Sequence, residues 1–313
     1  MDRTLARAEA LRLRRMQVAQ LADDGSFRFF FATNRVLDQG EKKLEERFQN
    51  RTADQLTLGT FDSTIEPNLG IGMLINPTDW LQNEEIRIKS VDPLGQPEFV
   101  DSLKAFVDRS PQRSLLVVIN GFRETFPSAL RKTAFVSHVL EIDSPVLVFD
   151  WPGDQGSSLR GYRRAAEVAR QSGTAFAKTL SLVVDEAGAE TVWVLANSMG
   201  AQVVADAFSE LYEEGRWADE ETEIEDVILT APDVATNEFN EQFKHEIAAL
   251  TKNLTVYVSS NDRALLASRL INRARRRGES TIAQLSPDQL DEAMAVAALV
   301  EPDSDLVTLV DVT

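Results

Sequence analysis

From residue 101 onward, short runs of apolar residues alternate with longer stretches in which apolar positions recur at helical spacing. The runs are Ser114–Ile119, Pro145–Phe149, Thr191–Leu195, Asp226–Leu229, Leu254–Val258 and Leu306–Val312. Unbroken apolar runs of this length predict strands covered on both faces. The stretches between them, Pro127–Leu140, Gly161–Asp185, Ala201–Tyr212, Asn237–Thr251 and Ser286–Leu299, predict helices. The last opens Ser-Pro-Asp-Gln, an N-cap serine followed by a proline at the first helical position and a glutamine at the third. Strand–helix alternation implies right-handed crossovers and an open, mostly parallel central sheet with helices on both faces.

The chain before residue 101 follows a different rhythm. "SFRFFFATNRV" at 26–36, "LGIGMLINP" at 69–77 and "EIRIKSV" at 85–91 predict short strands separated by charged text, so residues 26–100 form a β-rich N-terminal part of the fold. No Pro- or Ser-rich linker and no internal repeat divides the text, which predicts one domain over 26–313. Residues 1–25 carry five arginines before residue 16 and predict a helical extension. A solvated terminal helix is the plainer expectation, a weak partner-binding or surface-binding helix the alternative. The extension lacks the apolar core of a signal peptide, and nowhere do about 18 apolar residues follow one another as a membrane span requires. A cytoplasmic protein is expected.

Composition narrows the chemistry. With 33 Lys+Arg against 50 Asp+Glu the net charge is −17, which would repel nucleic acid and anionic lipid. The chain has no cysteine, so disulfide, thiolate and Cys-ligated metal chemistry is excluded. It has two histidines, His138 and His245, both within helical text.

In open α/β sheets ligands bind beyond the carboxyl ends of the strands, so the residues after each run carry the candidate chemistry. After Leu195 comes Ala-Asn-Ser-Met-Gly, a variant of the Gly-x-Ser-x-Gly nucleophile turn with alanine in the first small position. Small residues flank such a serine because strand and helix backbones meet there. Ser198 is the candidate nucleophile, and the start of the following helix, with the Met199 N–H, would face a developing oxyanion. The bland alternative is a serine at an ordinary strand-to-helix turn. After the Ser114–Ile119 run comes Asn120-Gly121-Phe122, where a glycine lets the chain aim the Phe122 N–H at the same point. After Leu254–Val258 comes Ser-Ser-Asn-Asp, and Asp262 is the first candidate for a carboxylate that orients an imidazole. Asp233, in "LTAPDV", is the second; a solvated loop aspartate is the alternative for both.

The segments "FFFATNRV", "VVINGFRETFPSALRKTAF", "VLVFDWPGD", "VWVLANSMGAQVV", "VILTAPDV" and "VYVSSNDRALLAS" occur in this order over residues 26–313. In them the chain resembles the α/β-hydrolase superfamily, and specifically DUF900, a bacterial α/β-hydrolase family of unknown function. The resemblance implies the α/β-hydrolase fold, Ser198 as nucleophile and Asp262 as acid. It also shows departures: the family usually has histidine where Asn120 and Asn197 stand, beside Gly121 and ahead of Ser198-Met199-Gly200. Neither of those histidines is the general base.

In this fold the base follows the final strand, and here the final run ends one residue before Thr313. The expectation is therefore a domain without its C-terminal histidine loop, whose next segment supplies the base of a serine hydrolase acting on a small ester or related acyl compound. The alternative is a hydrolase-like binding or scaffolding protein with impaired catalysis. Five arginines in "RLINRARRRGES" at 269–280 suit an anionic substrate group less well than a solvated helix end. The glycines of "NLGIGM" fit no nucleotide-binding pattern, and no metal or cofactor is expected.

Overall fold

A computed structural model of the chain describes residues 16–21, 24–40, 42–65, 86–215, 224–234 and 243–258, and the backbone of 307–311. Among the described residues nine strands form one sheet: β1 (Phe27–Leu37), β2 (Phe48–Ile65), β3 (Ile86–Leu94), β4 (Ser114–Ile119), β5 (Val146–Asp150), β6 (Thr191–Asn197), β7 (Ile224–Thr230), β8 (Thr251–Val258) and β9 (Val307–Asp311). The helices are α1 (Gln96–Val107), α2 (Phe126–Val139), α3 (Leu159–Glu186), α4 (Gly200–Glu213) and α5 (Lys244–Leu250). Strand order is β3-β2-β1-β5-β4-β6-β7-β8-β9, and from β1 to β9 every neighbouring pair is parallel. The pairings β1–β2 and β2–β3 are antiparallel. The fold is α/β with a mostly parallel sheet, as the alternation of runs predicts.

The apolar runs are explained by what covers each face. Leu115, Val117 and Ile119 of β4 join one core with residues of α1, α3, α4 and α5, while Leu116 and Val118 join a second core with Phe126, Leu130 and Phe135 of α2. Alternate residues from Leu115 to Ile119 thus point into two dry layers, which accounts for the unbroken apolar text. The 28 residues of α3 present Ala165, Ala169, Ser172, Phe176, Leu180 and Val183 as one buried stripe at helical spacing, opened by the Ser158 hydroxyl accepting from the Gly161 N–H at 3.1 Å.

Three elements differ from the sequence reading. Residues 48–65, read as charged connecting text, are the 18-residue strand β2. Its first half, Gln49–Gln55, is largely exposed, so the polar text reflects solvent rather than a loop. Residues 96–107, assigned to the β-rich part or left without an element, are helix α1, which buries Phe99, Leu103, Phe106 and Val107 on one face with Pro97 at its start. Met16–Ala19, placed in the N-terminal helical extension, form a turn in which Met16, Val18 and Ala19 are buried; Gln20 then bridges to Phe27. Residues 1–15, the run at 69–77 and the helix expected at 286–299 lie outside the described residues. Among the described residues no helix is long and apolar enough to cross a membrane.

Candidate active site

The carboxyl ends of β4, β5, β6 and β7 converge on Ser198. Strand β6 ends at Asn197, α4 begins at Gly200, and the chain reverses between them with Ser198 at φ 51°, a left-handed conformation that L-residues adopt only under constraint. The constraint is visible on both sides. The Ser198 N–H donates to the Thr230 carbonyl at the end of β7 (2.9 Å), while its carbonyl accepts from the Ala201 N–H (3.0 Å) and the Asp233 N–H (3.1 Å). A Cβ at Gly200 would stand 2.8 Å from the carbonyl oxygens of both Ile119 and Asn120, so only glycine lets α4 start this close to β4.

Gly121 closes the other side. A Cβ there would come within 3.0 Å of the Ser198 Cβ and the Asn197 carbonyl, which places the loop after β4 directly against the serine. Next in that loop is Phe122, whose ring meets Tyr162 edge-on at 5.6 Å; the Tyr162 hydroxyl donates to Asp233 Oδ2 at 2.5 Å. Ser198, Asp233, Tyr162, Phe122 and Gly121 thus form a ring of contacts around the half-buried serine. Among the described residues the N–H groups of Phe122 and Met199 have no hydrogen-bond partner, and no side chain caps α4. Two open amides and an uncapped helix start beside a hydroxyl form a local field suited to negative charge.

Neither asparagine of the site points its amide at the serine. Asn120 Nδ2 donates to the Ala129 carbonyl (3.3 Å) and the Thr133 hydroxyl (3.4 Å) of α2, and Asn197 Nδ2 donates to Thr230 Oγ1 (3.1 Å). Both tie loop ends to the neighbouring element.

Beneath the loops lies a buried ion pair. Arg35, at the end of β1, is fully buried and donates to Asp150 of β5 through Nε (2.5 Å) and Nη2 (3.2 Å), with Thr33 adding a hydroxyl at 3.1 Å. Burial pushes the Asp150 carboxyl upward, and the Arg35 charge acts against that push.

The two imidazoles stand elsewhere. His138 lies in the last turn of α2, twelve residues from its start beside the loop after β4. His245 is exposed and contacts the Tyr212 ring, twelve residues into α4 from Gly200. At a rise of about 1.5 Å per residue each is about 18 Å along a helix axis from the serine's end of the sheet. Ser198, Gly200, Gly121, Phe122, Met199, Asn120, Asn197 and Asp233 are brought together; Asp262 and the arginines of 269–280 lie outside the described residues. Tyr162, Trp151 and Arg35 escaped the sequence reading. The signals were there, in an arginine closing an apolar strand and in the Trp-Pro-Gly after "VLVFD".

The alpha/beta hydrolase family of unknown function DUF900 matches residues 96–311. The chain belongs to this family. Membership places it among the alpha/beta hydrolases, as the resemblance of its motifs implies. No curated protein matches it in sequence. Several solved structures match the chain, two of them as follows. One is a zinc-bound structure of a cold-adapted esterase from an Arctic intertidal metagenomic library, with 10% identity, 94% of this chain and 86% of that chain covered, and a TM-score of 0.40. The other, the ydeN gene product of B. subtilis, shows 15% identity, 60% and 97% coverage, and a TM-score of 0.28.

Proposed function

We propose that this DUF900 member is a serine hydrolase that cleaves a small ester or related acyl compound, with Ser198 as nucleophile. The observation that carries the reading is Ser198 at φ 51° with Gly121 packed on its Cβ and two unpaired N–H groups on the adjoining residues of the site. In this reading the serine oxygen attacks the acyl carbon. The carbonyl oxygen gains charge and is received by the Phe122 and Met199 N–H groups, donors that are already in place. Collapse expels the alcohol and leaves an acyl-serine, which water then hydrolyses.

The serine proton needs an acceptor. His138 and His245 both stand far from Ser198, so the reading needs an imidazole that is neither of them, with Asp262 as the carboxylate that orients it. Asp233 is the second candidate for that acid; its backbone already touches Ser198. The lack of an adjacent imidazole also favours a second reading, a hydrolase-like binding protein in which the serine turn is retained without turnover.

Hydrolysis of p-nitrophenyl acetate by the full chain separates the two. Amide donors and binding alone leave on the order of 10³-fold catalysis over water in triad enzymes stripped of a member. That residual catalysis needs neither base nor serine, so wild type and Ser198→Ala are expected to start close together, and free imidazole in solution is expected to raise the wild-type rate above the variant's by acting as base. Equal rates for the two proteins at every imidazole concentration would support the binding reading instead.

A further inference from the structure

The buried arginine and the tryptophan that follows β5 do more than fill the interior, because both hold backbone carbonyls of the loop that carries Phe122. Arg35 Nη2 donates to the Glu124 carbonyl at 2.8 Å and to the Trp151 carbonyl at 2.6 Å. Trp151 Nε1 donates to the Asn120 carbonyl at 2.8 Å. The two carbonyls gripped in this way belong to the residues two before and two after Phe122. A third tie, the Arg123 N–H to the Gly153 carbonyl at 3.1 Å, joins the same two loops, and Arg123 itself is held at φ 69°. A left-handed arginine persists only where its surroundings fix it.

Arg35 is itself immobile. Its guanidinium is fully buried, doubly bonded to Asp150, and reaches Asn50 Oδ1 of β2 through Nη1 at 2.5 Å. The planar fork can therefore reach a carboxylate, a side-chain amide and two loop carbonyls at once, which an ammonium group could not do. Fixing Asn120 and Glu124 leaves the short span between them little freedom, and the direction of the Phe122 N–H follows.

We infer that Arg35 and Trp151 are positioning residues that clamp the Asn120–Glu124 loop across the ends of β1 and β5, so that the Phe122 N–H stays aimed at the Ser198 site. The inference rests on the reading of Phe122 as an oxyanion donor for its catalytic consequence, but the clamp itself is a property of the loop. An amide donor is useful in acyl transfer only if it needs no reorganisation as charge develops. Loosening the clamp should therefore reduce reaction at Ser198 more than binding of the ground-state acyl compound.

Trp151→Phe removes one N–H while keeping an aromatic ring, and Arg35→Lys keeps charge while losing the fork. Hydrogen–deuterium exchange of the 120–126 segment and the rate at which a fluorophosphonate probe modifies Ser198 are compared in full-length wild type and both variants. Exchange is expected to quicken in 120–126 by about fivefold or more, the equivalent of one lost hydrogen bond, while amides of β4 and β6 keep their protection. Probe reaction is expected to slow by about tenfold or more, and p-nitrophenyl acetate kcat to fall with KM little changed. Should Arg35→Lys fail to fold, Trp151→Phe decides. Unchanged exchange in 120–126 overturns the clamp, and so does faster exchange with undiminished probe reaction. A wild type that the probe never modifies defeats the hydrolase reading instead, and the exchange comparison still decides the clamp by itself.

Discussion

The Tyr162 hydroxyl donates to the Asp233 carboxylate at 2.5 Å, joining the first turn of α3 to the loop after β7 across 71 residues of sequence. Through the Asp233 N–H and the Phe122 ring, the same pair touches both the serine backbone and the loop opposite it. A hydrogen bond to a charged acceptor contributes more than a neutral one, so Tyr162→Phe should lower the free energy of unfolding by about 1–2 kcal/mol. A double-mutant cycle with Asp233→Asn, followed by urea unfolding, should return a coupling of about 1–3 kcal/mol. Additive effects would show that the contact does not hold the two loops together.

Glycine at position 200 and serine at 198 make opposite demands on the same turn. Gly200→Ala would press a methyl group onto two backbone carbonyl oxygens at 2.8 Å, neither of which can rotate away. It should cost about 2 kcal/mol or more. Ser198→Ala removes a hydroxyl that has no partner among the described residues and should stay within about 0.5 kcal/mol of wild type. Ser198→Gly relieves left-handed strain but frees the unfolded chain, and those effects should nearly cancel, leaving it within about 1 kcal/mol. Thermal unfolding of the three variants tests this order, and a Gly200→Ala protein as stable as Ser198→Ala would contradict it.

Asp226 supplies a pH test away from the site. It lies on β7 with Oδ1 buried and without a partner among the described residues, and Thr255 donates to Oδ2 at a long 3.4 Å. Burial raises its pKa, the Thr255 bond opposes, and nearby Glu225 adds to the rise. A carboxyl whose pKa is raised on folding holds its proton more tightly in the folded chain. Between its ordinary and raised values the folded state binds more protons, so this group's contribution to stability falls as pH increases. Asp226→Asn should remove that fall, leaving the variant at least as stable as wild type at pH 7 and gaining relative to it between acid and neutral pH. Urea unfolding across that range is the check; a variant that loses ground as pH rises would reverse the sign.

How much of this was legible in the text depends on whether the cause was local. The β4 run "SLLVVI" could be read because both faces are dry and Leu115–Ile119 are all apolar. The strand-to-helix serine could be read because the chain must turn there and small residues flank it. Strand β2 could not, since half of it faces solvent and its polar residues imitate a loop. Helix α1 carries its own local signal, since Phe99, Leu103, Phe106 and Val107 stand at helical spacing after Pro97, but it is a single helix directly following β-rich text. Tyr162 and Arg35 belong to a different class. Their roles depend on partners 71 and 115 residues away, and only the folded sheet order brings those partners together.

The hydroxyl at position 198 is the proposed nucleophile, and covalent labelling tests that role most directly. The full chain is incubated with a fluorophosphonate in the presence of imidazole, and the modified peptide is mapped by mass spectrometry beside Ser198→Ala. A single adduct on Ser198, absent from the variant, is the predicted result. An intact serine after prolonged exposure, or an adduct that survives in Ser198→Ala, would contradict it.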